Sequence, residues 1–234
     1  MELKMKKIGL IGGLSWQSSI EYYRIINEQS NLLLGGSHTV ESIMYSTDLP
    51  QKLGLMSRRE TAELAREFID ISNSLAAAGA GMVLLCTNTM HAVFDEIESS
   101  ISLPMIHIAD ATAQAIKEKG LKKVALLGTV FTMQQPFYKD RLARHGIEVT
   151  VPSEDEAQEI HRVIVDELTF GDIRESSRAL YLDIMERLRR EEGAEGAILG
   201  CTEIPLLIHQ EHTDIPVFDT TFLHAMAAVK LALE

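Results

Sequence analysis

The feature that most constrains how this sequence can fold is that much of it is written twice. Lys6-Lys7-Ile8-Gly9-Leu10-Ile11-Gly12 reads against Lys122-Lys123-Val124-Ala125-Leu126-Leu127-Gly128. Gly79-Ala80-Gly81-Met82-Val83-Leu84-Leu85-Cys86-Thr87-Asn88-Thr89 reads, without a gap, against Gly193-Ala194-Glu195-Gly196-Ala197-Ile198-Leu199-Gly200-Cys201-Thr202-Glu203. Leu103-Pro104-Met105-Ile106 then matches Ile215-Pro216-Val217-Phe218. Apolar runs alone would agree between any two α/β units, but three matched blocks in one order are better explained by an internal duplication.

Within each copy, extended and helical patterns alternate. Strands are expected at 8–11, 42–46, 82–86, 104–108 and 124–127, and helices at about 15–34, up to 77 and from about 110. Ser57 with Glu60, and Thr132 with Gln135, have the spacing of capping boxes. Strands interleaved with helices imply parallel sheets covered on both faces, so the expected class is α/β: two similar Rossmann-like domains related by a pseudo-two-fold axis, with an active site in the cleft between them. If both proline segments are crossovers, the domains are 1–103 plus 216–234 and 104–215.

Charge and cysteine usage narrow the function. A net charge of -12 without a basic block provides no footprint for nucleic acid or an anionic membrane. No run reaches the ~18 apolar residues of a membrane helix. The lysines before 8–14 are faintly like a signal peptide, but that apolar run is short and broken by Gly12-Gly13, so it reads as a strand. Two distant cysteines suit a reducing, cytoplasmic setting.

Ligands of open parallel sheets bind beyond the strands' carboxyl ends, where both Thr87-Asn88-Thr89 and Cys201-Thr202-Glu203 fall. If the halves face each other, Thr87 and Cys201 approach one small molecule from opposite sides, which is what racemisation needs: one group removes the α-proton and another delivers a proton to the other face. A helix beginning after each strand would help hold a substrate carboxylate and favour the Cys201 thiolate. Thr89, Thr202 and Asn88 offer further hydrogen bonds. Asp48, after a strand, is a candidate for an α-ammonium or a solvated turn residue. Thr129, like Leu14 and Ser15, lies at the end of a first strand and is a candidate for the cleft. Cys86 is one residue out of register with Cys201 and reads as packing. Gly9-x-x-Gly12-Gly13 lacks the dinucleotide spacing, so no NAD is expected. His209 and His212 lack a third partner at metal-site spacing.

Gly12-Gly13-Leu14-Ser15-Trp16, Cys86-Thr87-Asn88-Thr89-Met90-His91, Gly128-Thr129 and Gly200-Cys201-Thr202-Glu203-Ile204-Pro205-Leu206-Leu207 resemble the aspartate/glutamate racemase family along essentially the full chain. The resemblance implies catalysis with no cofactor, neither pyridoxal phosphate nor metal, an acidic amino acid as substrate, and commonly a homodimer. Two departures stand out. The family's usual Cys-Asn-Thr is here Thr87-Asn88-Thr89, replacing one catalytic thiol by an alcohol that donates or relays a proton better than it abstracts one; similar sequences with this threonine look L-preferring. Aspartate-specific relatives carry a lysine before the position of Ile160, where this chain has Gln158-Glu159, leaving glutamate or a neutral or basic amino acid open. His91 also resembles a family residue, and both support of the Thr87–Asn88 backbone and simple helix packing fit it. Alternatives are the related hydantoin racemases, maleate isomerases and arylmalonate decarboxylases, or a small-molecule binding module.

Overall fold

The computed structural model describes residues 5–234. Its elements, in order, are β1 (Ile8–Gly12), α1 (Trp16–Leu34), β2 (Ser42–Ser46), α2 (Leu49–Ser57), α3 (Thr61–Ala77), β3 (Met82–Leu85), α4 (Phe94–Glu98), α5 (Ile108–Glu118), β4 (Lys123–Leu127), α6 (Val130–Gln134), α7 (Pro136–Arg144), β5 (Glu148–Thr150), α8 (Glu154–Asp166), α9 (Glu175–Glu192), β6 (Ala197–Leu199), β7 (Val217–Asp219) and α10 (Thr220–Leu233), with short 3₁₀ turns between some of them. The strands form two separate parallel sheets, ordered β2-β1-β3 and β5-β4-β6-β7. The chain divides into two compact units, residues 1–107 with 224–234 and residues 108–223.

The duplication holds down to single hydrogen bonds. Gly9 pairs with Val83 in the first sheet, and Ala125 with Ala197 in the second. Gly81 N–H donates to Lys7 O at 2.8 Å and Glu195 N–H to Lys123 O at 2.8 Å. Cys86 N–H donates to Ile11 O at 3.0 Å, as Gly200 N–H does to Leu127 O at 2.6 Å. Val83 N–H donates to Pro104 O at 3.0 Å, and Ala197 N–H to Pro216 O at 2.8 Å.

Each sheet is packed on both faces, which is why its central strands read as continuous apolar runs. In the first unit Val83 and Leu85 point toward α3 and α4, whereas Met82, Leu84 and Cys86 point toward α1 and α10. In the second, Ala197 and Leu199 face α8 and α9, and Ile198 faces α5 and α7. Cys201, two residues past β6, packs against the cluster containing Ala197 and Leu199, whereas Thr87 N–H turns back onto Leu85 O at 2.8 Å and ends the β3 alternation.

Several expectations need correction. Ser57 closes α2, and the N-cap of α3 is Glu60, without a side-chain cap bond. Thr129, not Thr132, caps α6; its side chain accepts from Thr132 N–H, and Gln135 lies past the helix end. The segment 104–108 contributes a single bridge, Met105 to Val83, because Ile108 already begins α5. The residues matched to Met105 form a true strand, β7, paired to β6; this places 217–219 in the second unit's sheet and the return passage at 223–224.

Candidate functional site

In the first unit the candidate residues gather at the carboxyl ends of β1 and β3. Ser15 caps α1, its Oγ accepting from Ser18 N–H at 3.1 Å. Ser19 Oγ accepts from Gly13 N–H at 2.8 Å and donates to Ser15 O at 3.0 Å, so the 13–15 loop is tied to the helix it precedes. Ser18 Oγ donates to Cys86 O at 3.0 Å, bracing that helix start against the β3 end, immediately before Thr87. Leu14, Thr87 and Asn88 are buried here. Thr89 opens a five-residue 3₁₀ turn, Thr89–Val93. Asp48 occupies the N-cap position of α2 without making a cap bond. A recess of about 340 Å³ at the β2 end is lined by Tyr45, Thr47, Gln51, Lys52, Glu67 and Asp70; the buried Lys52 ammonium is bonded to Glu67.

In the second unit, Gly128 and Gly200 bring the ends of β4 and β6 close: a Cβ on Gly128 would lie 3.1 Å from Gly200 O. Thr129 and Cys201 follow these two glycines. Thr220 Oγ1 donates to Leu199 O at 2.9 Å, fixing the start of α10 beside the same strand. Cys201 is half-buried against the cluster containing Tyr181, Ile204 and Leu207. Its Sγ–H donates to Glu203 Oε2 at 2.9 Å, and Thr202 Oγ1 donates to the same oxygen at 2.8 Å.

This geometry reverses the expectation for the thiol. Burial first, and then the facing Glu203 carboxylate, hold the Cys201 pKa well above the ordinary thiol value. The expected helix dipole is also missing, since only a three-residue 3₁₀ turn, Ile204–Leu206, follows. In this state Cys201 is a protonated thiol whose hydrogen is directed at a carboxylate. The sequence places Glu203 with Cys201 and Thr202 beyond a strand end, where it is a candidate for substrate binding; in the structure its carboxylate turns instead onto the thiol two positions away. Replacing Glu203 by Gln removes a negative charge, so Cys201 alkylation by iodoacetamide at pH 8 should speed up about three- to tenfold. Peptide mass mapping measures this for Cys201 apart from Cys86, and a slower reaction would contradict the electrostatic account. Cys86 is fully buried among Ile8, Leu10, Met82 and Leu84, and burial alone pushes its pKa up.

His209 and His212 cap one another's backbone, His209 N–H donating to His212 Nδ1 at 3.0 Å. Among the described residues no group of three His, Cys, Asp or Glu is arranged to hold a metal ion, and no helix is long and apolar enough to cross a membrane.

The family model described as Asp/Glu/hydantoin racemase matches residues 11–228. The chain belongs to this family. It is 45% identical to a crystal structure of a candidate Asp/Glu racemase from Yersinia pestis, with a TM-score of 0.93, covering 98% of this chain and 100% of that one. An aspartate racemase homologue from Pyrococcus horikoshii is 37% identical, with a TM-score of 0.89 over 98% and 100% of the two chains. The broad specificity amino-acid racemase RacX of Bacillus subtilis is 24% identical over 229 residues, 97% of this chain and 98% of that one. The family assignment brings with it an isomerase chemistry that must be assigned to particular residues.

Proposed function

We propose that this protein racemises amino acids without a cofactor, Cys201 and Thr87 acting on opposite faces of the substrate α-carbon. The observation that carries the reading is the Cys201 thiol, at the repeat-matched position of Thr87, hydrogen-bonded to the Glu203 carboxylate at 2.9 Å. Glu203 takes the Sγ proton as the sulfur removes the substrate α-hydrogen. The electron pair left on carbon is delocalised into the substrate carboxylate, held by Asn88, Thr89, Thr129 and Thr202. Thr87 then delivers a proton to the other face and regains one through water, while Glu203 releases its proton to solvent, so neither alkoxide nor hydroxide accumulates and the sum of protons is unchanged. Leu14 and Ser15 shape the wall beside Thr87, and Asp48 accepts the substrate ammonium. Acidic amino acids head the list of substrates, and a cytoplasmic homodimer is the working form.

The decisive experiment is incubation with a panel of L- and D-amino acids, and a 5-substituted hydantoin, in deuterated water, reading α-deuteration by mass spectrometry. Deuteration and enantiomer interconversion of at least one amino acid are expected. Exchange confined to the hydantoin would move the chemistry to the alternative branch, and tight binding without exchange would make the chain a binding protein.

Because an alcohol is a poor resting base, α-hydrogen exchange of the two enantiomers should differ, although interconversion between species of equal free energy has one kcat/KM in both directions. The enantiomer presenting its α-hydrogen to Cys201, taken as the L-form, should exchange at least about tenfold faster than its mirror image under subsaturating conditions in single-enantiomer assays. Equal initial exchange rates would refute the asymmetry, and Thr87→Cys should bring them closer together.

A further inference from the structure

Beneath Thr87 lies a group of side chains that proton transfer does not use. His91, His107 and His224 are 2%, 4% and 0% exposed. The His91 ring centroid is 4.8 Å from that of His107 and 5.4 Å from that of His224, and Phe94 stacks on His91 at 5.5 Å with an interplanar angle of 10°. Tyr22 packs edge-on against His224 at 5.6 Å.

The hydrogen bonds assign the protons. His224 Nε2 lies 2.8 Å from Ile106 O, a pure acceptor, so Nε2 carries hydrogen and Nδ1 accepts from Tyr22 O–H at 2.7 Å. His91 Nδ1 lies 2.7 Å from Thr87 O and must likewise carry hydrogen. Its Nε2 is buried, and besides Thr87 O the ring also feels the Ile106 carbonyl. Imidazoles this close in an apolar interior cannot readily be charged. Burial, and then repulsion from His107 and His224, hold His91 well below the ordinary histidine value, and burial lowers His224 to about 4. The cluster joins three points in the chain's course: the 87–91 turn, the exit from the first unit at His107, and the return at His224.

Resting on the racemase reading, we infer that His91 is a positioning residue that turns the Thr87–Asn88 peptide so that its N–H addresses the substrate carboxylate. The Nδ1–H bond fixes the direction of the Thr87 carbonyl. That peptide is planar and trans, so the Asn88 N–H must point the opposite way, away from the imidazole. His91 N–H also donates to Asn88 O at 3.1 Å, closing the turn from its other side. A packing histidine would need no fixed tautomer, whereas the short bond to Thr87 O requires hydrogen on Nδ1.

Two substitutions separate the ring nitrogens, because Asn places its amide N–H where Nδ1 sits and Gln reaches only to Nε2. His91→Asn should keep kcat/KM for α-deuteration within about threefold, while His91→Gln should lose about ten- to a hundredfold, with KM rising. Equal activity of His91→Gln and the parent, or equal losses in two folded variants, would overturn the assignment. A two-bond ¹H–¹⁵N correlation spectrum of the unaltered protein at pH 7 tests it without relying on either variant folding. It should show His91 neutral with hydrogen on Nδ1; an Nε2–H tautomer or an imidazolium would refute the proposal. The spectrum is independent of turnover: absence of α-exchange would strike down the racemase reading, while a wrong tautomer would strike down only the role of His91.

Discussion

Cys201→Ala is expected to lower α-deuterium exchange of every substrate, from both enantiomers, by at least about 10³-fold. General acid–base groups contribute about 10²–10⁴-fold to a proton transfer. The upper part of that range applies because, in the proposed mechanism, the groups left to act as base are an alcohol, Thr87, and the Glu203 carboxylate, which the Cys201 thiol faces at 2.9 Å. The variant should fold normally, since Cys201 contributes only a half-buried sulfur to its cluster. Cys86→Ala serves as the reference: removing a fully buried sulfur from among Ile8, Leu10 and Leu84 should cost stability through a small cavity and leave exchange nearly intact. The reverse pattern, with exchange surviving at Cys201→Ala and lost at Cys86→Ala, would transfer the base to the other half of the repeat. Cys201→Ser, which keeps the size and hydrogen bond but weakens the acid, should be nearly as inactive as the alanine variant.

The second large effect concerns folding. Gly13 has φ of 77°, and a Cβ built there would lie 2.0 Å from Thr47 O and 2.6 Å from Thr47 N. The β1 end and the β2 end are held together at this point by Thr47 N–H donating to Gly12 O at 3.0 Å. Gly13→Ala must therefore both adopt a left-handed backbone, costing about 1–2 kcal/mol, and separate two strands. The total should be about 3–5 kcal/mol, lowering the melting temperature by roughly 10 °C in circular dichroism. Gly146 makes the comparison informative. Its φ of 76° is almost the same, but nothing lies within 4 Å of its would-be Cβ, so Gly146→Ala should cost only about 1 kcal/mol. Equal melting temperatures for the two variants would show that the close approach at Gly13 carries no weight.

Both predictions turn on places where the two halves of the duplication have diverged. Thr87 lies two residues past the end of β3 and Cys201 two residues past the end of β6, at repeat-matched positions. The thiol has kept its carboxylate partner within two residues, whereas the threonine stands over a buried set of imidazoles. In the mechanism proposed above, a duplicated sequence thus supplies two unlike proton-handling groups, the basis for expecting unequal exchange from the two enantiomers.

The amino-acid sequence by itself determined the α/β class with parallel sheets, the internal duplication, and the alignment of Thr87 with Cys201. Those follow from apolar periodicity and residue identity, both local quantities. It also showed Ser15 as the start of α1, because the capping hydroxyl acts three residues away. It did not show that Glu60 rather than Ser57 begins α3, or that 104–108 makes one bridge while its counterpart makes a strand; packing against neighbouring elements decides such boundaries. Tertiary structure alone decided the protonation of the site. The raised pKa of Cys201 comes from burial and from the direction in which Glu203 turns. The tautomer of His91 depends on Thr87 O and on imidazoles from positions 107 and 224, far away along the chain. Electrostatic environment is a property of what surrounds an atom in space, and no spacing of residues along the chain encodes it directly.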